Sequence, residues 1–266
     1  MKIPCRLAAF DLDGTLLNSN HEVSGENLKA LQQLIAKDIL VILVSGRMHQ
    51  SMKPISDLIG LENPIISYNG GMVKHAVTDR VLYHTPVPAE YAAAIIRDCK
   101  EQDLHLNFCL NDELYVANRN EWSELYEVRT GVSATAVGDL QKLSGEEPTK
   151  LLIIHPPEKL QTLLAQFKST YSGKLYVTQT QPEYIEFMNP NVSKGSALTA
   201  LVKQLNIPIK EAIAFGDSYN DESLLKTAGF GIAMRNGVQQ VKNCADYITA
   251  SNDENGVAKA ISELVL

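Results

Sequence analysis

Six polar side chains in this sequence are of the types that hold phosphate groups and divalent cations in proteins. Five of them follow apolar runs of β-strand type, and the sixth, a lysine, opens a helical stretch. In chain order they are Asp11, Asp13, Ser45, Lys194, Asp217 and Asp221. Because ligands of open parallel sheets bind beyond the carboxyl ends of the strands, we expect these side chains to converge at one sheet edge.

Such a cluster would suit phosphoryl transfer. Four carboxylates in a small volume repel one another, and a hard divalent cation with oxygen ligands, such as Mg²⁺, removes that conflict. Bound Mg²⁺ also offsets the charge of a phosphoryl group, while Lys194 and Ser45 would hold further phosphate oxygens. The spacing of Asp11 and Asp13 suits a nucleophile paired with a general acid/base.

The elements that must position these residues alternate between strand and helix near both ends of the chain. Continuous apolar runs predict buried strands, and capping residues before apolar residues at helical spacing predict helices. Predicted strands cover residues 7–10, 39–44, 65–68, 212–215 and 231–234, and predicted helices begin at Ser24 or cover 50–59, 193–205, 222–227 and 257–264. This alternation favours a parallel sheet with right-handed crossovers.

The pattern changes between about residues 85 and 186, where strand pairs are interleaved with helices. Predicted helices cover 89–102, 121–130 and 158–168, and predicted strands cover 105–110, 114–117, 151–155, 175–178 and 184–188. This segment predicts a separate α+β layer. The fold class is therefore α/β, with a Rossmann-like parallel-sheet core of residues 1–84 and 187–266 and an inserted α+β domain of residues 85–186.

Composition excludes several classes of partner. The chain has 266 residues and a formal net charge of −7, with no basic face of the kind that binds nucleic acid. Its four cysteines are scattered without a CxxC pair, which argues against a zinc site. It shows no signal peptide and no apolar run near the roughly 20 residues of a membrane helix. We therefore expect a cytoplasmic protein that binds no membrane; the sequence sets no oligomeric state.

Four segments, in their order and spacing, resemble the motifs of the haloacid dehalogenase-like superfamily. They are Asp11–Leu17, Ser45–Arg47, Asn191–Gly195 and Gly216–Asp221. An insert between the second and third motifs is typical of the subgroup with the larger α/β cap, known as C2B. Within it, the chain is most similar to Cof-type, sugar-phosphatase-like proteins. The resemblance implies that residues 85–186 form a cap that contacts the organic part of the substrate.

The resemblance also implies a role for each motif residue. Asp11 would form an aspartyl-phosphate, and Asp13 would act as general acid and then as general base. The phosphate-binding residues would be Ser45, Gly46, Lys194 and Asn220. The Mg²⁺ site would comprise Asp11, Asp13 through its backbone carbonyl, Asp217 and Asp221. Ser45 departs mildly from the family pattern, which often has threonine at this position.

We accordingly expect a magnesium-dependent phosphatase that hydrolyses small phosphomonoesters, such as sugar phosphates or similar metabolites. One alternative is a phosphomutase related to phosphomannomutase, which would return the phosphoryl group to a substrate. A second is a non-catalytic sensor of phosphate ligands, against which the complete set of motif residues argues. A Rossmann dehydrogenase is disfavoured because no GxGxxG follows the first strand.

Other residues near the motifs have structural interpretations. We expect Arg47 to pair with a carboxylate or to close the edge of the site, and His21 to be a loop residue. The segment Asn69-Gly70-Gly71 predicts a tight turn, with a substrate contact from Asn69 as the alternative. Trp122 and Tyr126 lie at helical spacing, which favours packing within the insert.

Overall fold

A computed structural model describes residues 2–266 as two compact units, each with its own β-sheet. The first unit takes residues up to Tyr83 together with Ser193–Leu266, and the second takes His84–Val192. The second boundary lies after Val192 and not at the predicted 186/187. The reason is that the strand Tyr184–Met188 pairs within the sheet of the second unit.

Within residues 2–266 the chain forms fourteen β-strands and nine α-helices, in agreement with the predicted α/β class. The strands are β1 Leu7–Asp11, β2 Leu40–Val44, β3 Pro64–Ser67, β4 Met72–His75, β5 Val81–His84, β6 His105–Leu110, β7 Glu113–Val116, β8 Ala134–Ala136, β9 Lys150–Ile154, β10 Tyr176–Thr178, β11 Tyr184–Met188, β12 Ala212–Gly216, β13 Phe230–Ala233 and β14 Tyr247–Ile248. The helices are α1 Gly25–Ile35, α2 His49–Ile59, α3 Ala89–Glu101, α4 Glu121–Thr130, α5 Pro157–Thr170, α6 Lys194–Gln204, α7 Glu222–Thr227, α8 Gln239–Cys244 and α9 Gly256–Leu264. None of the helices in this described range has the length and hydropathy that crossing a bilayer requires.

The sheet of the first unit has eight strands in the order β14-β13-β12-β1-β2-β3-β4-β5. Neighbouring strands from β14 to β3 run parallel, as predicted, whereas β4 runs antiparallel to β3. In the central strands, Phe10 of β1 lies in register with Phe215 of β12 and with Leu43 of β2. The polar segments that follow these three strands therefore begin at the same level of one sheet edge.

Helices cover both faces of this sheet. Phe10 packs with residues of α1, α2 and α9 and stacks on Phe215, with 4.7 Å between the ring centroids. Its neighbour Ala9 packs on the other face with residues of α6, α7 and α8. Burial on both faces explains why the central strands read as continuous apolar runs and not as an alternating pattern.

Two helices of the first unit begin at serine caps. The Ser24 hydroxyl accepts a hydrogen bond from the backbone N–H of Asn27, which confirms the predicted start of α1. Ser193 and Ser196 form a reciprocal capping box at the start of α6. This cap makes Lys194 the first residue of α6 and fixes where its side chain leaves the backbone.

The sheet of the second unit has six strands in the order β10-β11-β9-β6-β7-β8. The pairs are antiparallel except for β7 and β8, which run parallel and are connected through α4. Helices α3 and α5 pack over one face, around Phe108, Phe167 and Phe187. Tyr126 of α4 is buried near the ring of Tyr184, in agreement with its predicted packing role.

A buried ion pair joins neighbouring strands of the second unit. Lys150 Nζ of β9 donates to Glu186 Oε1 of β11 at 3.0 Å, and the two side chains are 3% and 7% exposed. Burial by itself would lower the pKa of Lys150, but Glu186, together with Tyr126 and Cys109, outweighs it and raises that pKa. Removal of one partner would leave an uncompensated buried charge.

We expect Lys150→Met to lower the free energy of unfolding by about 3 kcal/mol, because Glu186 would keep its buried charge without a partner. Lys53→Met is the matched control, since Lys53 pairs with Asp57 on the exposed surface of α2. There we expect a loss below about 1 kcal/mol. Urea denaturation followed by circular dichroism measures both variants, and equal losses would contradict the prediction.

Candidate active site

Three adjacent strands of the first unit deliver acidic and hydroxyl side chains to one sheet edge. Asp11 is the last residue of β1, Ser45 follows β2, and Asp217 follows β12. All three strands are parallel, and β1 lies between the other two. The structure therefore brings these residues together as their sequence positions lead one to expect.

Lys194 is the centre of the cluster. Its Nζ donates to Asp11 Oδ1 and to Asp221 Oδ1, each at 2.5 Å. The lysine side chain is 1% exposed, and those of Asp11 and Asp221 are 7% and 0% exposed. A buried ammonium is tolerated only when it is paired and hydrogen-bonded, and here two carboxylates meet that condition.

The fourth motif holds its own carboxylates in fixed positions. Asp221 Oδ2 accepts hydrogen bonds from the backbone N–H groups of Asp217 and Ser218, each at 2.9 Å. Asp217 Oδ1 accepts a hydrogen bond from the Thr15 hydroxyl at 2.8 Å. The bond from Thr15 ties the first motif to the fourth, across a separation of about 200 residues in sequence.

Close packing between the same two motifs requires a glycine. Gly14 has a φ of 77°, in the left-handed region, and a Cβ added there would lie 2.5 Å from Asp217 Oδ2. Its carbonyl oxygen also accepts a hydrogen bond from Asn236 Nδ2 at 2.8 Å. The glycine thus lets the chain turn after β1 and allows Asp217 to approach the first motif.

The cluster is electrostatically strained without a further cation. Burial, followed by the neighbouring charge of Asp221, raises the pKa of Asp11 well above its ordinary value despite the proximity of Lys194. Burial and Asp221 likewise raise the pKa of Asp217 to about 6. Burial would lower the pKa of Lys194, but Asp11 and Asp221 outweigh it and raise that pKa. One ammonium does not balance three carboxylates.

The donor set of this cluster fits a magnesium ion. Asp11, Asp217 and Asp221 each offer one carboxylate oxygen, and the three oxygens lie within 4.8 Å of one another. Hard oxygen donors of this kind suit Mg²⁺, and a divalent charge would relieve the repulsion that, after burial, raises the pKa values of Asp11 and Asp217. The resemblance assigns Asp13 to the metal only through its backbone carbonyl. Its side-chain carboxylate is not part of this group.

The Asp13 carboxylate is instead bound by Arg47. Arg47 Nε donates to Asp13 Oδ2 at 2.9 Å, and Nη2 donates to Oδ1 at 2.5 Å, which is a bidentate pair. His21 Nδ1 lies 3.6 Å from the same Oδ1. Arg47 therefore pairs with a carboxylate, which was the first of its two expected roles. The proximity of His21 to Asp13 was not predicted, because a loop conformation is not readable from the sequence.

Of the predicted phosphate-binding residues, Ser45 and Lys194 are buried, Gly46 is half-buried and Asn220 is exposed. Ser45 is 2% exposed and its hydroxyl accepts a hydrogen bond from the backbone N–H of Arg47. Asn220 is exposed, and its Nδ2 donates to Oδ1 of the buried Asn69 at 2.9 Å. The sequence predicts a tight turn at Asn69, with a substrate contact as the alternative, but it does not predict the hydrogen bond from Asn220. The Asn-Gly pair signals the turn alone.

Comparisons with known proteins agree with the motifs. A model of the haloacid dehalogenase-like hydrolase family matches residues 8–261. Phosphatase YwpJ of Bacillus subtilis (strain 168) is 31% identical over 287 residues, covering 98% of this chain and 100% of that protein. The 5-amino-6-(5-phospho-D-ribitylamino)uracil phosphatase YitU of the same organism is 28% identical over 262 residues, covering 97% of this chain and 96% of that protein. The crystal structure of TM0651 from Thermotoga maritima matches with a TM-score of 0.91 and 31% identity over 98% of each chain.

The raised pKa of Asp217 predicts how stability depends on pH in the metal-free protein. Between about pH 4 and 6, folded Asp217 holds a proton that the unfolded chain has released, so stability falls as the pH rises through this window. Asp217→Asn removes this penalty and keeps an acceptor for Thr15. In EDTA at pH 7.5 we expect the variant to be more stable by on the order of 1 to 3 kcal/mol, with a difference that shrinks toward pH 4.

Urea denaturation at the two pH values measures this effect, and Asp38→Asn, at an exposed position, is the control. We also expect added Mg²⁺ to stabilise the wild-type chain more than Asp217→Asn, because the variant lacks one ligand. A variant that is less stable than the wild-type chain at pH 7.5 in EDTA would show that burial and the neighbouring charges do not destabilise the ionised Asp217.

Proposed function

Since this chain belongs to the haloacid dehalogenase-like hydrolase family, we propose that it is a magnesium-dependent phosphatase that uses Asp11 as a covalent nucleophile. Its class is that of the phosphoric monoester hydrolases, as for its curated phosphatase relatives. The observation that carries the proposal is the contact of buried Lys194 with both Asp11 and Asp221, beside Asp217. This arrangement would combine a nucleophile, a fixed positive charge and a set of metal ligands.

Asp11 is suited to nucleophilic attack by its surroundings. The ammonium of Lys194 donates to Asp11 Oδ1 and offsets the carboxylate charge, and the second oxygen of Asp11 would attack phosphorus. Asp11, Asp217 and Asp221 would hold Mg²⁺, which when bound supplies charge neutralisation for the phosphoryl oxygens. Proximity and fixed orientation of the carboxylate account for the rest of this step.

Phosphate binding would fall to residues at the same sheet edge. The Ser45 hydroxyl and the Gly46 N–H follow β2, Lys194 begins α6, and Asn220 belongs to the fourth motif. Together they would offer a hydroxyl, a backbone N–H, an ammonium and an amide as donors to a phosphoryl group. Donors fixed before substrate binds stabilise developing charge without reorganisation, which is the largest contribution in many enzymes.

Asp13 would serve as the general acid for the leaving alkoxide and then as the base that activates water. Both of its oxygens accept hydrogen bonds from Arg47, and each keeps a second lone-pair site at which Asp13 would hold the proton that it transfers. Arg47 thereby sets the resting orientation of this carboxylate. The second oxygen can stay bound to the guanidinium while the first faces the leaving group.

Relatives and the division of the chain into two units support a proposal for the substrate class. YitU is named for a phosphorylated ribitylamino-uracil, which is a small phosphomonoester of a sugar alcohol. We infer that this chain also acts on small phosphorylated metabolites of the sugar-phosphate kind. The side chains described above would serve phosphate binding, metal binding and proton transfer, so recognition of the organic part would fall to the unit His84–Val192 as a cap. All four cysteines are free, which suits a cytoplasmic enzyme.

We expect Asp11→Asn to reduce kcat by more than about 10³-fold, because an amide is a poor nucleophile toward phosphorus. The amide oxygen can still accept from Lys194, so the fold should be preserved, and circular dichroism checks this. Asp38→Asn is the control and should keep full turnover. Near-normal turnover in Asp11→Asn would refute the role of Asp11.

We expect release of inorganic phosphate from a panel of metabolite phosphates only when Mg²⁺ is present, with activity lost in EDTA and restored by added Mg²⁺. The panel should include hexose phosphates, pentose phosphates and the substrate named for YitU. Metal-independent release would contradict the proposal. Transfer between two sugar phosphates without net release would identify a phosphomutase, and phosphate binding without any turnover would identify a sensor.

A further inference from the structure

We propose that Asn69 is a positioning residue that holds the amide of Asn220 in place for the phosphoryl group. This inference rests on the proposed function, because it assigns Asn220 to phosphate. Asn69 lies in a short 3-10 turn, Tyr68–Gly70, that directly follows β3. It belongs to none of the four motifs, and it contacts the second and the fourth of them.

The turn is held in an unusual backbone conformation. Tyr68 and Asn69 have φ values of 53° and 56°, so two consecutive residues other than glycine adopt the left-handed region. Asparagine tolerates this region, but a bulky aromatic residue does so only under strong constraint. The constraint is visible in the backbone: Tyr68 N–H donates to Arg47 O and Asn69 N–H donates to Ser45 O, each at 2.9 Å.

The Asn69 side chain then reaches the fourth motif. Asn69 is 7% exposed, and its Oδ1 accepts a hydrogen bond from Nδ2 of the exposed Asn220 at 2.9 Å. An exposed asparagine would otherwise sample several rotamers, and this bond to a buried partner selects one of them. Asn220 keeps its second N–H available for a phosphoryl oxygen, since each amide nitrogen carries two donors.

Packing around the turn leaves little room for other arrangements. A Cβ added to Gly46 would lie 3.0 Å from Asn69 Oδ1 and 3.1 Å from Asn69 Nδ2, so the amide rests against the backbone of the second motif. A Cβ added to Gly70, at a φ of 98°, would lie 2.2 Å from the carbonyl oxygen of Ser193. The turn therefore packs against the residue before Lys194. One turn touches the segments that carry Ser45, Lys194 and Asn220.

The test is a double-mutant cycle between Asn69 and Asn220. Asn69→Gly deletes the amide and lets the backbone keep its left-handed conformation without strain. We expect Asn69→Gly and Asn220→Ala each to raise KM and the inhibition constant of inorganic phosphate by roughly tenfold, which corresponds to one lost hydrogen bond to a charged group. If Asn69 acts through Asn220, the double variant is no weaker than either single variant within about twofold.

Asn206→Gly is the matched control, because Asn206 is exposed and also left-handed, with a φ of 54°. It should leave KM, kcat and phosphate inhibition unchanged. The half-saturating Mg²⁺ concentration should also be unchanged in Asn69→Gly, since none of the three metal-site carboxylates is altered. The proposal would be overturned if the fold-changes in KM and phosphate inhibition of the two single variants multiplied in the double variant. Normal phosphate inhibition of Asn69→Gly would also overturn it.

A second measurement separates this proposal from the proposed function. The same double-mutant cycle can be measured without turnover, by calorimetry of inorganic phosphate binding in the presence of Mg²⁺. Weaker phosphate binding in both single variants, with no further loss in the double variant, supports the role of Asn69 even if no substrate is hydrolysed. A wild-type chain that neither binds phosphate nor releases it would count against the proposed function itself, whereas normal phosphate binding by Asn69→Gly would count against Asn69 alone.

Discussion

Lys194 carries its charge in the interior of the first unit, where its ammonium contacts the carboxylates of Asp11 and Asp221. Burial of a charge is unfavourable unless hydrogen bonds and opposite charges compensate it, and this lysine has both. With Asp217 the cluster holds three carboxylates against one ammonium, so the metal-free fold keeps an excess of negative charge. Burial, followed by that excess, raises the pKa values of Asp11 and Asp217, and a divalent cation would offset the repulsion between the carboxylates.

The rest of the first unit can be understood as the scaffold that holds this charge cluster together. The strand order places β1 between β12 and β2, so that three polar segments leave the sheet at one edge. The capping box of Ser193 and Ser196 starts α6 at Lys194. Gly14 permits Asp217 to approach the first motif, and the backbone amides of the fourth motif fix Asp221. Each of these features is local, but each restricts the orientation of a charged side chain that would otherwise turn toward solvent.

Sequence patterns predicted the long, buried elements well and the short ones poorly. The central strands and α1 follow directly from continuous apolar runs and from the cap at Ser24. Strands β8 and β14 were missed, because Ala134–Ala136 and Tyr247–Ile248 are too short to show a period and gain their structure by pairing with a neighbour. Strand β4 was also missed, because a turn at Asn69 predicts that the chain changes direction but not that it returns beside β3.

The same distinction applies to the site. Residue types and spacing were enough to expect Asp11, Lys194, Asp217 and Asp221 near one another, since each follows or begins a recognisable element. They did not determine which oxygen faces which donor. The bidentate bond from Arg47 to Asp13 spans 34 residues, and the bond between Asn220 and Asn69 spans 151. Such bonds depend on the distance between loops, which is set by sheet order and helix packing and not by the composition of either loop. A motif therefore identifies the chemistry of a loop, whereas contacts between loops set the geometry in which that chemistry takes place.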